Sequence, residues 1–382
     1  MPTVLHLVDG GDADELRLAL TPLLERIAPH AWRQVLALSG SGSAAGLDDR
    51  VVQRLRLLRC GRLAPVVEAA RLHRSLNTAE VDVVHAWSLA AAQTAVLARG
   101  TACRPPVVMT CWDPYLSQRD ARWVALLEKT GQVTVLCHSQ HVQRRWLEHG
   151  LTAARSAVVR PGVDFGQLNR HRRDPAVASA LGLKRGQRVV LLPPSASSRG
   201  GHLFGLWVAT AAQYLQPELR LLIPGSSPEA DRVRRRAQRL PNAACVHMTG
   251  EDFGYEALLN WADAVLVPAR EDISTTPLAW AMAAGVPIVA CATYATSELL
   301  ASGVNSLLVK PGEPMVMARK LLSALGEDRE ARRLGEVARG QAFEAFSMTR
   351  YVEQVRKAWD DLAAGRPVGE ATAERSAAPA VV

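Results

Sequence analysis

Residues 262–290, ADAVLVPAREDISTTPLAWAMAAGVPIVA, decide the fold. The run 264–267 is short and wholly apolar, as expected of a strand covered on both faces. A polar loop follows, and then Pro277, which suits a first helical turn because its missing N–H is not needed there. The small side chains of Ala281, Ala283 and Ala284 let a helix lie close under a sheet. Gly285 can adopt the left-handed conformation that ends such a helix, and residues 287–290 read as the next strand. Strand, helix and strand in this order make a parallel βαβ unit.

The same alternation runs in both directions. Upstream, strands are expected at residues 4–8, 34–38, 81–86, 106–111, 132–136 and 156–159, with helices at 14–27 and 140–149 and an Ala-rich helical stretch after residue 86. Around residues 162–173, GVDFGQLNRHRR, the apolar periodicity stops, which marks a linker. It resumes with strands at 188–192, 219–223, 244–248 and 264–267 and helices at 202–215 and 230–240. Helices at 315–325, 329–346 and 351–362 close the pattern. The chain therefore reads as α/β, two doubly wound Rossmann-like domains at 1–168 and 174–346, with residues 365–382 a disordered tail rich in Ala, Pro, Gly and charge. The ligand side of each sheet is the end where strands run out, so a central cleft between the domains is expected.

Composition narrows the function classes. The 382 residues are 48% hydrophobic, with a net charge of +8. That excess favours anionic partners: nucleotide-linked donors or phospholipid headgroups. No zinc-finger spacing and no recognition-helix signature accompanies it, so no nucleic-acid partner is expected. The basic run at 232–239, RVRRRAQR, reads as the solvated face of a helix. No apolar run reaches the roughly 18 residues of a membrane-spanning helix, and the N-terminus lacks the basic segment of a signal peptide. Six scattered cysteines with no CxxC fit a reducing compartment. The expectation is a cytoplasmic protein with a peripheral contact to an anionic membrane surface.

Several segments, in order, resemble the group 1 glycosyltransferases of the family 4 type, which have the GT-B fold. Residues 281–290 resemble the "EAMAxGxPVVA" unit. Glu298-Leu299-Leu300, Gly303 and residues 307–312 resemble "PELVxxGxxGLLVPPG", and Phe346-Ser347 resembles the opening of the last family helix. Upstream, residues 159–164 resemble "RPGVD" and residues 83–86 resemble the "DVVHAH" strand end. The resemblance implies a retaining, metal-independent transfer of a sugar from a nucleotide-diphosphate donor to an acceptor that the sequence does not name, with no further cofactor. It also implies that residues 347–364 cross back to the N-terminal domain, where Tyr351, Val352, Val355 and Trp359 supply an apolar stripe.

By the same resemblance Glu271 holds hydroxyls of the transferred sugar, while His85 and Asp113 are the candidates by the reacting centre; the alternatives are a structural His at a strand end and a loop carboxylate that caps the following helix. Ser274, Thr275 and Thr276 offer hydroxyls and N–H groups to the diphosphate at a helix start, a favourable seat for an anion. Their bland alternative is a helix cap, with Thr275 or Thr276 as N-cap. Gly10 and Gly11, between the first strand and its helix, allow close backbone approach to a ligand.

Three features, at four positions, depart from the family pattern. Trp280 stands where a second Glu binds the donor ribose, and it cannot accept those hydrogen bonds. The Arg and Lys that clamp the diphosphate fall at Ser195 and Gly200, which leaves Arg199 as a substitute for one cation. Trp112 replaces a His beside the reacting sugar. These losses keep a second reading open, a catalytically degenerate binding or scaffold protein.

Overall fold

The computed structural model describes residues 1–8, 13–39, 54–57, 69–70, 72–73, 80–99, 105–130, 133–169, 173–194, 197–225, 229–240, 243–250, 252–326 and 329–368. The chain divides into two compact units. One is formed by the residues up to Gly162 together with those from Met348 onward, and the other by Val163–Ser347.

Among its described residues the first unit holds seven parallel strands: β1 (Thr3–Val8), β2 (Arg33–Ser39), β3 (Arg54–Leu57), β4 (Val83–Ala86), β5 (Val107–Cys111), β6 (Val133–Cys137) and β7 (Ser156–Val158). Their order across the sheet is 3-2-1-4-5-6-7, so the winding reverses between β1 and β4. Strands β1, β4 and β6 are buried at every position. Helices α1 (Ala13–Arg26), α2 (Leu89–Arg99), α3 (Gln118–Thr130) and α4 (Gln140–Glu148) accompany them.

The second unit repeats the plan. Strands β8 (Arg188–Leu191), β9 (Leu219–Pro224), β10 (Val246–Gly250), β11 (Ala264–Val267), β12 (Ile288–Cys291) and β13 (Leu307–Val309) lie in the order 10-9-8-11-12-13, and the winding reverses between β8 and β11. The helices are α5 (Pro175–Ala180), α6 (His202–Gln213), α7 (Ala230–Ala237), α8 (Tyr255–Leu259), α9 (Thr276–Ala284), α10 (Tyr294–Ser297), α11 (Pro314–Leu325) and α12 (Arg329–Ala345). Helix α9 is buried along its whole length and ends at Gly285 with φ 68°. A Cβ built on Gly335 of α12 would sit 2.3 Å from the Gly285 carbonyl oxygen, so two backbones touch where the small residues are.

Helix α13 (Met348–Ala363) belongs to the first unit. Its buried stripe is Met348, Tyr351, Val352, Val355, Ala358 and Trp359. Tyr351 donates to the Ala19 carbonyl at 3.0 Å, and Trp32 donates to Asp360 at 2.9 Å. The units meet in sequence at Gly162/Val163, the first two residues of the linker read from composition. Val163 pairs with Phe346 and Ser347 and so joins the second unit. Of the stretch read as a tail, Gly365–Val368 is described, and Arg366 is ion-paired with Asp361. Residues 369–382 lie outside the described residues, as do Gly10 and Gly11.

Candidate functional site

Each unit carries its polar groups where the winding reverses. In the first unit, His6 and His85 are register partners on β1 and β4, both fully buried. Trp87 donates its indole N–H to His6 Nδ1 at 3.1 Å, and Trp359 donates to His85 Nδ1 at 3.2 Å. An indole can only donate. Both Nδ1 atoms therefore lack a proton, and each Nε2–H points outward: His6 to Gln34 Oε1 at 3.0 Å, His85 to Thr110 Oγ1 at 2.8 Å. Burial holds His6 down to about 4 and His85 well below its ordinary value. Both rings are neutral braces inside a core. His85, expected at a reacting centre, has no exposure, and both its nitrogens are engaged.

Trp112 joins the same cluster, buried, with its ring 6.3 Å from Trp87 and 6.0 Å from His138. Where the family carries a His, this chain packs its core. Asp113 is half-buried, and one carboxylate oxygen accepts the Tyr115 N–H at 2.9 Å. That is an Asx-turn. Helix α3 takes its cap elsewhere, from Ser117 and Asp120, which exchange bonds at 3.2 and 2.9 Å.

The second unit has a recess of about 290 Å³, counting its open mouth, at the ends of β8 and β11. Pro193, Val267, Tyr255, Ser274, Thr275 and Thr296 are among the residues lining it. The start of α9 forms one wall. Ser274 Oγ accepts the Thr276 N–H at 3.2 Å and touches Thr276 Oγ1 at 3.3 Å. Thr275 stands at the N-cap position, but its hydroxyl does not cap the helix. It is buried and, like the buried Tyr255 hydroxyl, has no hydrogen-bond partner among the described residues. An unpartnered buried hydroxyl costs about 1–3 kcal/mol, and both of these belong to residues that line the recess.

The loop after β8 is fitted tightly to the loop after β11. Gly201 has φ 71°, and a Cβ built on it would lie 2.0 Å from the Pro268 carbonyl oxygen. His202, buried, accepts the Ser197 N–H at Nδ1 (3.2 Å) and donates from Nε2 to the Pro193 carbonyl (3.0 Å), which braces the loop from inside. Gly200 N donates to Ser197 Oγ at 2.9 Å. Arg199 is half-buried, and its carbonyl oxygen accepts the Arg270 N–H at 3.2 Å. Arg199, Gly200, Ser274, Thr275 and Thr276 thus come together at one end of one sheet.

Glu271 follows Arg270 on this loop and is exposed. Its neighbour Asp272 is half-buried and accepts the Ala295 N–H at 2.8 Å, which ties the loop to the start of α10. Trp280 is buried within α9 and fills interior volume. The sequence reading missed Tyr255, Asp272 and His202. Asp272 and His202 lie inside segments that resemble the family, but neither was given a role there, and Tyr255 lies in no motif.

Two parallel, doubly wound units whose winding reverses at matching places define the GT-B class of fold. Residues 198–341 match the family "Glycosyl transferases group 1", and residues 31–167 match "Glycosyltransferase Family 4". The chain is a group 1, family 4-like glycosyltransferase by sequence family.

Among solved structures, Anabaena HepE in complex with UDP-glucose is similar over 94% of this chain and 100% of its own, with TM-score 0.80 and 19% identity. Sucrose-phosphate synthase from Thermosynechococcus elongatus is similar over 96% and 100%, with TM-score 0.76 and 16% identity. N-acetyl-alpha-D-glucosaminyl L-malate synthase of Bacillus anthracis is 24% identical over 145 residues, 38% of this chain and 38% of that enzyme's length.

Proposed function

We propose that the protein transfers a sugar from a nucleotide-diphosphate donor, seated at the recess of the second unit, to an acceptor, with retention and without a metal. One observation carries the reading. The hydroxyls of Thr275 and Tyr255 are buried, unpartnered and set beside an opening where the winding reverses, at the start of a helix. A helix start favours an anion, and Arg199 lies on the loop joined to it. The recess is much smaller than a nucleotide-sugar, so in this reading it holds one small part of the donor, with the remainder outside it. Family membership and the UDP-glucose bound by Anabaena HepE support a nucleotide-sugar donor.

In this reading the Ser274–Thr276 segment and Arg199 bind the diphosphate, and Glu271 orients the sugar. Asp113 is the remaining acidic candidate on the acceptor side.

A thermal-shift series with UDP, GDP, ADP and their sugar conjugates, with and without EDTA, tests the donor. Incubating the best conjugate with candidate acceptors, and following the anomeric signals by NMR, tests transfer and its stereochemistry. A rise in midpoint with one nucleotide family, insensitive to EDTA, is expected. No shift with any of them would reject the donor site.

A second reading has its own support. Trp280 and Trp112 are both buried fillers where the family carries polar groups, which suits a protein that binds the donor without turning it over. Saturable donor binding with no product would favour it.

A further inference from the structure

The C-terminal sheet carries unequal helix layers. On one face α6 packs between α7 and α11, and the three share one apolar core with the strands. Helices α7 and α11 bear Arg232, Arg234, Arg235, Arg236, Arg319 and Lys320, all exposed, against one carboxylate, Asp231. Helix α9 packs instead with α8 and α12. Those three helices carry four arginines and four carboxylates, so their charge cancels.

The middle helix of the basic layer is different in kind. From Gly200 to Pro217 there is no Asp, Glu, Lys or Arg, although α6 has an outward face. That face presents Trp207, 53% exposed, and ends in Tyr214 and Leu215, 74% and 75% exposed. Trp207 and Tyr214 are two helical turns apart and lie on the same side. The Arg236 guanidinium stands over the Trp207 ring at 5.9 Å, which joins the aromatic stripe to the basic helix beside it.

We propose that the outward face of α6 and α7, extended by α11, docks this protein on an anionic phospholipid bilayer. Exposed Trp, Tyr and Leu suit the depth of the headgroups, and flanking arginines suit their phosphates. A soluble polyanion would engage the arginines but leave the α6 stripe wet, whereas a bilayer takes both sets. The basic run at 232–239 is then part of a contact surface rather than a merely solvated face. The inference stands apart from sugar transfer: a protein that docks without transferring refutes only the proposed activity.

The test is flotation of the full chain with extruded phosphatidylcholine vesicles holding either no or 30 mol% phosphatidylglycerol (about a third anionic, enough for a strong surface potential). Binding is expected only to the anionic vesicles and should fall steeply with salt. The triple variant Arg232→Gln, Arg235→Gln, Arg239→Gln should lower the partition coefficient by roughly a hundredfold at low salt. The double variant Trp207→Ser, Tyr214→Ser should lower it by about tenfold or more while keeping the charge. A control with equal charge loss, Arg122→Gln, Arg329→Gln, Arg332→Gln, should change it by no more than about threefold, from net charge alone. All these positions are exposed, and equal thermal midpoints would show that folding is intact. Equal binding to both vesicle types, or equal loss in the control, would overturn the proposal. So would a double variant that binds like wild type, since the face would then be a general polyanion site.

Discussion

Arg270 donates its backbone N–H to the carbonyl oxygen of Arg199 at 3.2 Å, and this bond ties the loop after β8 to the loop after β11. Two chain segments about seventy residues apart thus become one rim at the reversal of the winding. The rim brings two arginines and Glu271 onto adjoining backbone.

The first prediction concerns those side chains. Arg199→Ala should weaken nucleotide-diphosphate binding by about 1.5–3 kcal/mol, the scale for hydrogen bonds to charged groups. Glu271→Ala should leave the bare nucleotide unaffected and weaken the sugar conjugate. Isothermal titration of both ligands into wild type and the two variants checks this, and equal affinities throughout would remove both residues from the site.

Tyr255→Phe separates ligand binding from stability. Its hydroxyl has no partner among the described residues, so its removal should leave the ligand-free thermal midpoint unchanged or raise it. Donor binding should weaken by about 1 kcal/mol, one neutral hydrogen bond. A variant that loses stability without losing affinity would assign the hydroxyl to the scaffold.

Gly201→Ala should act on the fold directly. The residue has φ 71°, and its Cβ would lie 2.0 Å from the Pro268 carbonyl oxygen. A loss of about 3 kcal/mol or more is expected, from left-handed backbone plus overlap. Urea unfolding measures it, and a loss below about 1 kcal/mol would mean that the two loops can part without harm.

The buried imidazoles predict a pH dependence. His6 is held down to about 4 in the fold against an ordinary 6.5, so the unfolded chain takes up the proton first. Stability is then full above pH 6.5 and is lost as pH falls toward 4, by about 3 kcal/mol from His6 alone. Trp359→Phe, which strips His85 Nδ1 of its donor, should cost about 1–3 kcal/mol at neutral pH. Urea midpoints at pH 7.5 and 4.5 check both effects, and a midpoint unchanged by acid would contradict the buried network.

Much of this fold was legible because buried parallel strands write themselves as unbroken Val, Leu and Ala runs. β11 is an example, and Gly285 ends helix α9 as its position implied. Strand β3 was missed because Arg54-Leu55-Arg56-Leu57 alternates at a sheet edge instead of running apolar. Strand β13 is only three residues long. The site was less legible. His85 sits at a strand end, as a ligand-facing residue would, yet the ring that closes over it belongs to Trp359, 274 positions along the chain. No local pattern carries such a partner. Tyr255 opens a five-residue helix with no motif around it, and only the recess beside it gives it meaning.

Helix α13 has a consequence for the order in which this protein can be made. Residues 163–347 are contiguous, so the second unit is complete in sequence as soon as they have left the ribosome. The first unit is begun earlier and finished later. Until residues 348–363 emerge, His85 Nδ1 and the Ala19 carbonyl lack their native donors, and Trp32 lacks its acceptor on Asp360. The part of the first unit that is translated first must wait, with its polar core open, for a single helix that is translated after the whole second unit.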